Sequence, residues 1–254
     1  MKIVTLIGTK NKTDFAIYLA YTMNTMKKNV LIVDATTFGH YQQGYFQVDG
    51  EYLSTPDVEF HSLKDIDIVC GANDWVDVEK KLRTVNTTTT NYDCILIDID
   101  STVGLLAEWP SSDLTLYVSD NEKFNLAGDV SLLHRYFDEN ETTTLRRVHF
   151  ESAYKIPADY IETLMKNRPT FEGNSIYFDY DEDELPLRML MQHEHVIPFN
   201  KLNKAYKRVL QELSCELFEG MTIRDVESQT KRSFFGIRPK NEKDKASQQQ
   251  TIGG

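Results

Sequence analysis

Residues 2–34 constrain this chain more than any other stretch. An apolar, β-branched run from Lys2 ends at Gly8, and a polar loop Thr9-Lys10-Asn11-Lys12-Thr13 follows it. A helical pattern then runs from Asp14 to Lys28, and a second β-branched run closes on Asp34. That order predicts a strand–loop–helix–strand unit, with the loop set at the N-terminus of the helix. Amides at that end of a helix have no intrahelical acceptor, and the helix dipole favours an anion there. In phosphate-binding loops a lysine reaches the outer phosphates and the next hydroxyl holds Mg²⁺. Lys12 and Thr13 stand in those two places. The standard pattern G-x-x-x-x-G-K-[ST] fails here, because Leu6 and Asn11 replace its two glycines.

Further along, Asp93-Cys94-Ile95-Leu96-Ile97-Asp98 reads as a buried strand ending in a carboxylate, the form of a Walker B strand. Many parallel strands end in Asp; its place after the Lys12-Thr13 loop makes Asp98 a candidate for the Mg²⁺ shell. Ile66–Gly71, Leu114–Ser119 and Arg147–Phe150 read as further strands. Trp75–Val85, Asn125–Phe137, Ile156–Asn167 and Leu202–Phe218 read as helices, and Val196–Asn200 as a late strand. The expected fold is α/β, a mostly parallel twisted sheet with helices on both faces.

On these residues the chain resembles the MinD/ParA family of deviant P-loop ATPases, whose loop reads Lys-Gly-Gly-X-Gly-Lys-Thr. Set against it without gaps, Ile7-Gly8-Thr9-Lys10-Asn11-Lys12-Thr13 keeps Gly8, Lys12 and Thr13. The resemblance implies ATP held by Gly8, Lys10, Asn11, Lys12 and Thr13, and Mg²⁺ held by Thr13, Asp34 and Asp98. It also marks departures. The family's signature lysine falls on Ile7, for which Lys10 is a candidate substitute. Thr9 and Asn11 replace glycines, and a β-branched residue forced to positive φ costs about 1–2 kcal/mol. The family's second switch aspartate is Thr36, which carries no charge to orient or deprotonate a water. The adenine-reading Asn-Arg is absent after the Arg147–Phe150 strand.

These departures favour a pseudo-ATPase that keeps the fold as a scaffold. By family analogy it would assemble or position an envelope-associated machine such as a pilus, secretion or conjugation apparatus. The alternative is a slow ATP-dependent dimerisation switch with weak ATPase activity, serving cell-site positioning or DNA partitioning. Expected partners are a second copy of the chain and an assembly or secretion component.

The chain has 254 residues and a formal net charge of −11. Non-specific DNA binding draws its affinity from phosphate neutralisation, so this charge sets direct DNA contact aside as an expectation. No apolar run approaches a membrane span and no signal peptide is expected, which predicts a cytoplasmic protein. Cys70, Cys94 and Cys215 lack metal-ligand spacing and read as buried thiols.

Three weaker features are set against simpler readings. Tyr41, Tyr45 and Phe46 read as a loop packed over the sheet. The acidic run Asp179–Glu184 fails the EF-hand pattern, with Glu184 where Gly is required, and reads as a solvated face. His193 and His195 would share a strand face but have no third ligand nearby. Residues 1–220 are expected to form one domain, and 221–254 a flexible polar tail. Within that tail Phe234 and Phe235 lie among Lys231, Arg232, Arg238 and Lys240. They are candidates for docking on a partner, or for weak, reversible contact with the membrane.

Overall fold

The structure is a computed structural model, described here for residues 1–45, 58–139, 144–157, 159–166, 170–172, 174–218, 220 and 222–223. Phe46 and the tail pair Phe234 and Phe235 lie outside the described residues.

The first unit forms as expected: β1 (Lys2–Ile7), α1 (Thr13–Thr25) and β2 (Val30–Ala35). β1 lies at the centre of the sheet, with β5 (Cys94–Ile99) on one side and β6 (Leu114–Asp120) on the other, all three parallel. β2 pairs with β5 and with β4 (Ile66–Val69). β7 (Thr144–Phe150) extends the sheet beyond β6. The chain leaves β1 toward β2 on one side and leaves β6 toward β7 on the other. Their carboxyl ends therefore diverge at a topological switch point, where ligands of open α/β sheets bind.

Both faces of the sheet are buried, which explains why the central strands read as continuous apolar runs. Val4 and Leu6 of β1 join the core under α1 and α8 (Lys204–Leu217). Ile3 and Ile7 join the opposite core under α3 (Trp75–Thr84) and α5 (Lys123–Glu139). α1 is buried almost all round, wedged between the sheet and α8. α3 is capped by Asp74, whose side chain accepts from the amide of Asp77.

Several expectations are corrected. Phe60–Leu63 forms an antiparallel edge strand, β3, against β4. Thr170–Phe171 and Ile176–Phe178 form β8 and β9, both short and both paired with β7. The helix expected over 156–167 is the short α6, Tyr160–Leu164. The late strand is absent, and Phe199–Lys201 is a single 3₁₀ turn after Pro198. His193 lies in the last turn of the helix α7 (Glu184–Glu194) and His195 just beyond it in the left-handed region, so the two do not share a strand face. The residues after β2 form α2 (His40–Tyr45) rather than a loop, and α4 (Thr102–Leu106) follows β5. Cys70 and Cys94 are buried, whereas Cys215 is only partly so.

Candidate functional site

Gly8 ends β1 at φ +134°, and a Cβ there would lie 2.2 Å from the carbonyl oxygen of Val118 on β6. Only glycine lets the loop leave the sheet this close to its neighbour. The next residue is held from the far side. Thr9 donates its amide to Asp129 of α5 at 2.7 Å, and its hydroxyl contacts the carbonyl of Asn125 and the same carboxylate. Neither Thr9 nor Asn11 takes a positive φ, so the strain considered for them is not incurred. Asn11 instead accepts from the amide and hydroxyl of Thr13, the first residue of α1.

Lys12 is only 2% exposed. Its ammonium donates to the carbonyls of Gly8 and Ile99 and pairs with Asp98 at 2.8 Å. Asp98 lies directly across the β2–β5 ladder from Asp34, and both carboxylates are fully buried. Asp34 accepts from the amide and hydroxyl of Thr36 through one oxygen. Its other oxygen has no hydrogen-bond partner. Burial pushes Asp34 up to about 6, against the two Thr36 hydrogen bonds and helped by the charges of Asp98 and Asp100.

Two tyrosines of α2 complete the site. Tyr41 donates its phenol to Asp98 at 2.7 Å, and Tyr45 shares a hydrogen bond with the Thr13 hydroxyl at 3.1 Å. Both rings are buried, and Gly44 between them lies against Gln192 of α7. Lys12, Asp98 and Asp34 are thus brought together, Thr13 follows Lys12 at the start of α1, and the chain's own phenols lie on Asp98 and Thr13.

The oxygens of Thr13, Asp34 and Asp98 are hard ligands of the kind Mg²⁺ takes, and the unpartnered oxygen of Asp34 is an open valence for a cation. Among the described residues no group of three or more His, Cys, Asp or Glu side chains could by itself hold a metal. This donor set suits an ion that keeps waters and binds with phosphate.

Lys10 faces elsewhere. It pairs with Glu184 at 3.0 Å, lies 4.0 Å from Asp120, and sits 4.7 Å over the Phe150 ring. Burial opposes its charge, but Asp14, Glu184 and Asp120 together outweigh that and raise its pKa. A cleft of about 500 Å³ opens there, beside the ends of β6 and β7. Glu184, read from the sequence as solvated, is one wall of it.

Sequence reasoning missed Tyr41, Tyr45 and Asp129 as site residues. Asp129 carried a usable sign: it falls at helical spacing between Leu126 and Leu132, a carboxylate on the apolar face of α5. Tyr41 and Tyr45 are four apart, one face of a helix, but Gly39 and Gly44 masked the period.

No protein-family model matches the chain, and no curated protein matches it. Solved structures do. A ParA family ATPase from Chlorobium tepidum TLS is 15% identical with a TM-score of 0.55, covering 84% of this chain and 97% of its own. MinD in the Aquifex aeolicus MinC:MinD cell division complex is 13% identical with a TM-score of 0.51, covering 87% and 99%. pNOB8 ParA bound to nonspecific DNA is 15% identical with a TM-score of 0.42, covering 91% and 99%. The chain therefore has the fold of ParA and MinD ATPases. One expectation is corrected by these neighbours. The expectation that sets direct DNA contact aside is withdrawn: the pNOB8 ParA structure is of that protein bound to nonspecific DNA, and the Aquifex aeolicus MinD structure is of its complex with MinC. Among the described residues no helix is long and apolar enough to cross a membrane.

Proposed function

We propose that this chain is a positioning protein of the ParA/MinD kind, working as a slow ATP-dependent dimerisation switch in cell-site positioning or DNA partitioning. The observation that carries this reading is the cluster of Lys12, Thr13, Asp34 and Asp98. A loop lysine at a helix N-terminus, buried beside the carbonyls of Gly8 and Ile99, pairs with Asp98, which stands in register with a second buried carboxylate, Asp34, on the adjacent strand. Burying this much charge destabilises a fold unless the charges are paired, and a purely structural core is better served by apolar residues. An unpartnered oxygen on Asp34 is a further cost that a bound cation would remove.

In this reading Thr13, Asp34 and Asp98 would hold Mg²⁺, which would supply neutralisation of phosphate charge. Lys12 would hold the outer phosphates, and Asn11 holds the start of α1 in place. Thr36, tied to Asp34, has no carboxylate with which to take a proton from water, so ATP turnover is weak. Occupancy rather than hydrolysis sets the state.

A second reading is a scaffold whose site never opens. The Tyr41 phenol on Asp98 favours it, because it satisfies the carboxylate without a metal. No feature of the described residues selects a pilus, secretion or conjugation apparatus as the machine served.

Light scattering on the purified chain, with and without ATP and Mg²⁺, separates the two. A shift to the dimer mass with ATP, lost in Lys12→Ala, supports the switch. An unchanged mass at millimolar ATP supports the scaffold.

A further inference from the structure

The cleft beside Lys10 is strongly acidic. Asp120, Glu122, Glu151, Asp181, Glu182 and Glu184 line it, against only Lys10 and Arg188. Lys10 is already engaged by Glu184 and Phe150. The floor of the cleft continues into a small cavity of about 20 Å³ that shares Phe150, Asp181 and Glu184 with it. Tyr18 and Tyr206 line that cavity, 2% and 7% exposed, and their hydroxyls have no hydrogen-bond partner. Buried phenols usually find a partner, so two orphaned hydroxyls point to a polar group that enters from the cleft. Aromatic rings ringed by carboxylates suit a cationic side chain on a segment that also carries apolar groups.

The chain carries such a segment. Lys231-Arg232-Ser233-Phe234-Phe235-Gly236-Ile237-Arg238-Pro239-Lys240 has four basic residues, two phenylalanines and no acid. It is also within reach. α8 begins beside the cleft, where its cap Asn203 donates to Asp181, and its 14 residues carry the chain about 21 Å away. From Ile223, the last described residue, the eight steps to Lys231 span up to about 26–29 Å when extended. That span exceeds the roughly 21 Å run of α8.

We propose that residues 231–240 dock into this acidic cleft, with Phe234 and Phe235 against Phe150 and Tyr180 and the basic residues on the carboxylates. The contact is intramolecular, so a short tether supplies an effective concentration of about millimolar and a weak site is enough to hold it. The docking does not depend on the nucleotide reading.

The test uses the full chain and a tail-reversed form carrying Lys231→Glu, Arg232→Glu, Arg238→Glu and Lys240→Glu. A fluorescein-labelled peptide of sequence 231–240 is titrated at low salt and followed by anisotropy. The tail-reversed chain should bind it about tenfold more tightly than the native chain, whose own tail competes. Adding Glu122→Lys and Glu182→Lys, both exposed positions, to the tail-reversed chain should remove that binding, and 0.5 M NaCl should weaken it by about tenfold or more. Circular dichroism of each variant checks that the fold is retained. Equal affinity for the native and tail-reversed chains would overturn the proposal in favour of a basic segment from another protein. Absence of binding to both, or binding that survives reversal of the cleft, would overturn it outright.

Discussion

Tyr41 and Asp98 are 57 residues apart, and the phenol of one donates to the carboxylate of the other at 2.7 Å inside the protein. The same carboxylate holds Lys12 at 2.8 Å. α2 therefore places its phenol on the same carboxylate that holds the loop lysine. Burial, then the charge of Asp98, raises the Tyr41 hydroxyl well above its ordinary range, so it remains a donor at any physiological pH.

Removing only that hydroxyl should ease the opening. Tyr41→Phe keeps the ring and frees Asp98, and a hydrogen bond to a charged group is worth about 1.5–3 kcal/mol. ATP–Mg²⁺ affinity measured by calorimetry should rise about tenfold or more, with a modest fall in thermal stability. Unchanged affinity would show that Tyr41 does not gate the site.

Asp34 sets one pH dependence. Its folded carboxyl is raised to about 6 from 3.8, so the folded state holds this proton more tightly than the unfolded state. That stabilisation is complete below about pH 3.8 and is lost as pH rises through about 6. Asp34→Asn should therefore stabilise the chain by about 1–3 kcal/mol at pH 8 and by little at pH 4, read from urea midpoints at the two pH values. An equal effect at both would contradict the shift.

His149 acts in the opposite sense. Burial, then the charges of Arg147, Lys10 and Lys155, lowers it to about 3. Its ring lies between Ser119 and Asn121 at 2.9 and 3.0 Å. The unfolded chain takes up this proton near pH 6.5 and the folded chain does not, so stability is lost as pH falls through that window toward 3. The loss should reach about 2–3 kcal/mol by pH 4.5. His149→Gln should flatten the denaturation profile between pH 6.5 and 4.5, and a profile as steep as before would rule this cause out.

Gly8→Ala should be among the most damaging single changes. A Cβ placed 2.2 Å from a backbone oxygen, at φ +134°, forces β1 and β6 apart. A loss of about 3 kcal/mol or more is expected from chemical denaturation, and a loss under 1 kcal/mol would show that the loop adjusts freely.

The sheet was legible in the sequence wherever burial on both faces forced continuous apolar runs, as in β1, β2, β5 and β6. The edges were not. β3, β8 and β9 are two to four residues long and owe their existence to a neighbour's open edge rather than to their own pattern. α7 was hidden because its first residue, Glu184, closes the acidic run that read as solvated, and Pro186 sits inside its first turn. Within the site, Lys12 and Thr13 could be named from their place at the start of a helix and Asp98 from the strand it ends, whereas Asp34 was named through the family resemblance. Their closure by Tyr41, and the grip of Asp129 on Thr9, join residues 57 and 120 apart and arise only from packing.

The most direct test of the central claim is calorimetric titration of the purified chain with ATP and Mg²⁺, with Lys12→Ala alongside. The account predicts saturable binding in the micromolar range that the substitution abolishes while thermal unfolding stays cooperative. No heat of binding at millimolar ATP, in a chain shown to be folded, would contradict it and leave a scaffold with a permanently closed site.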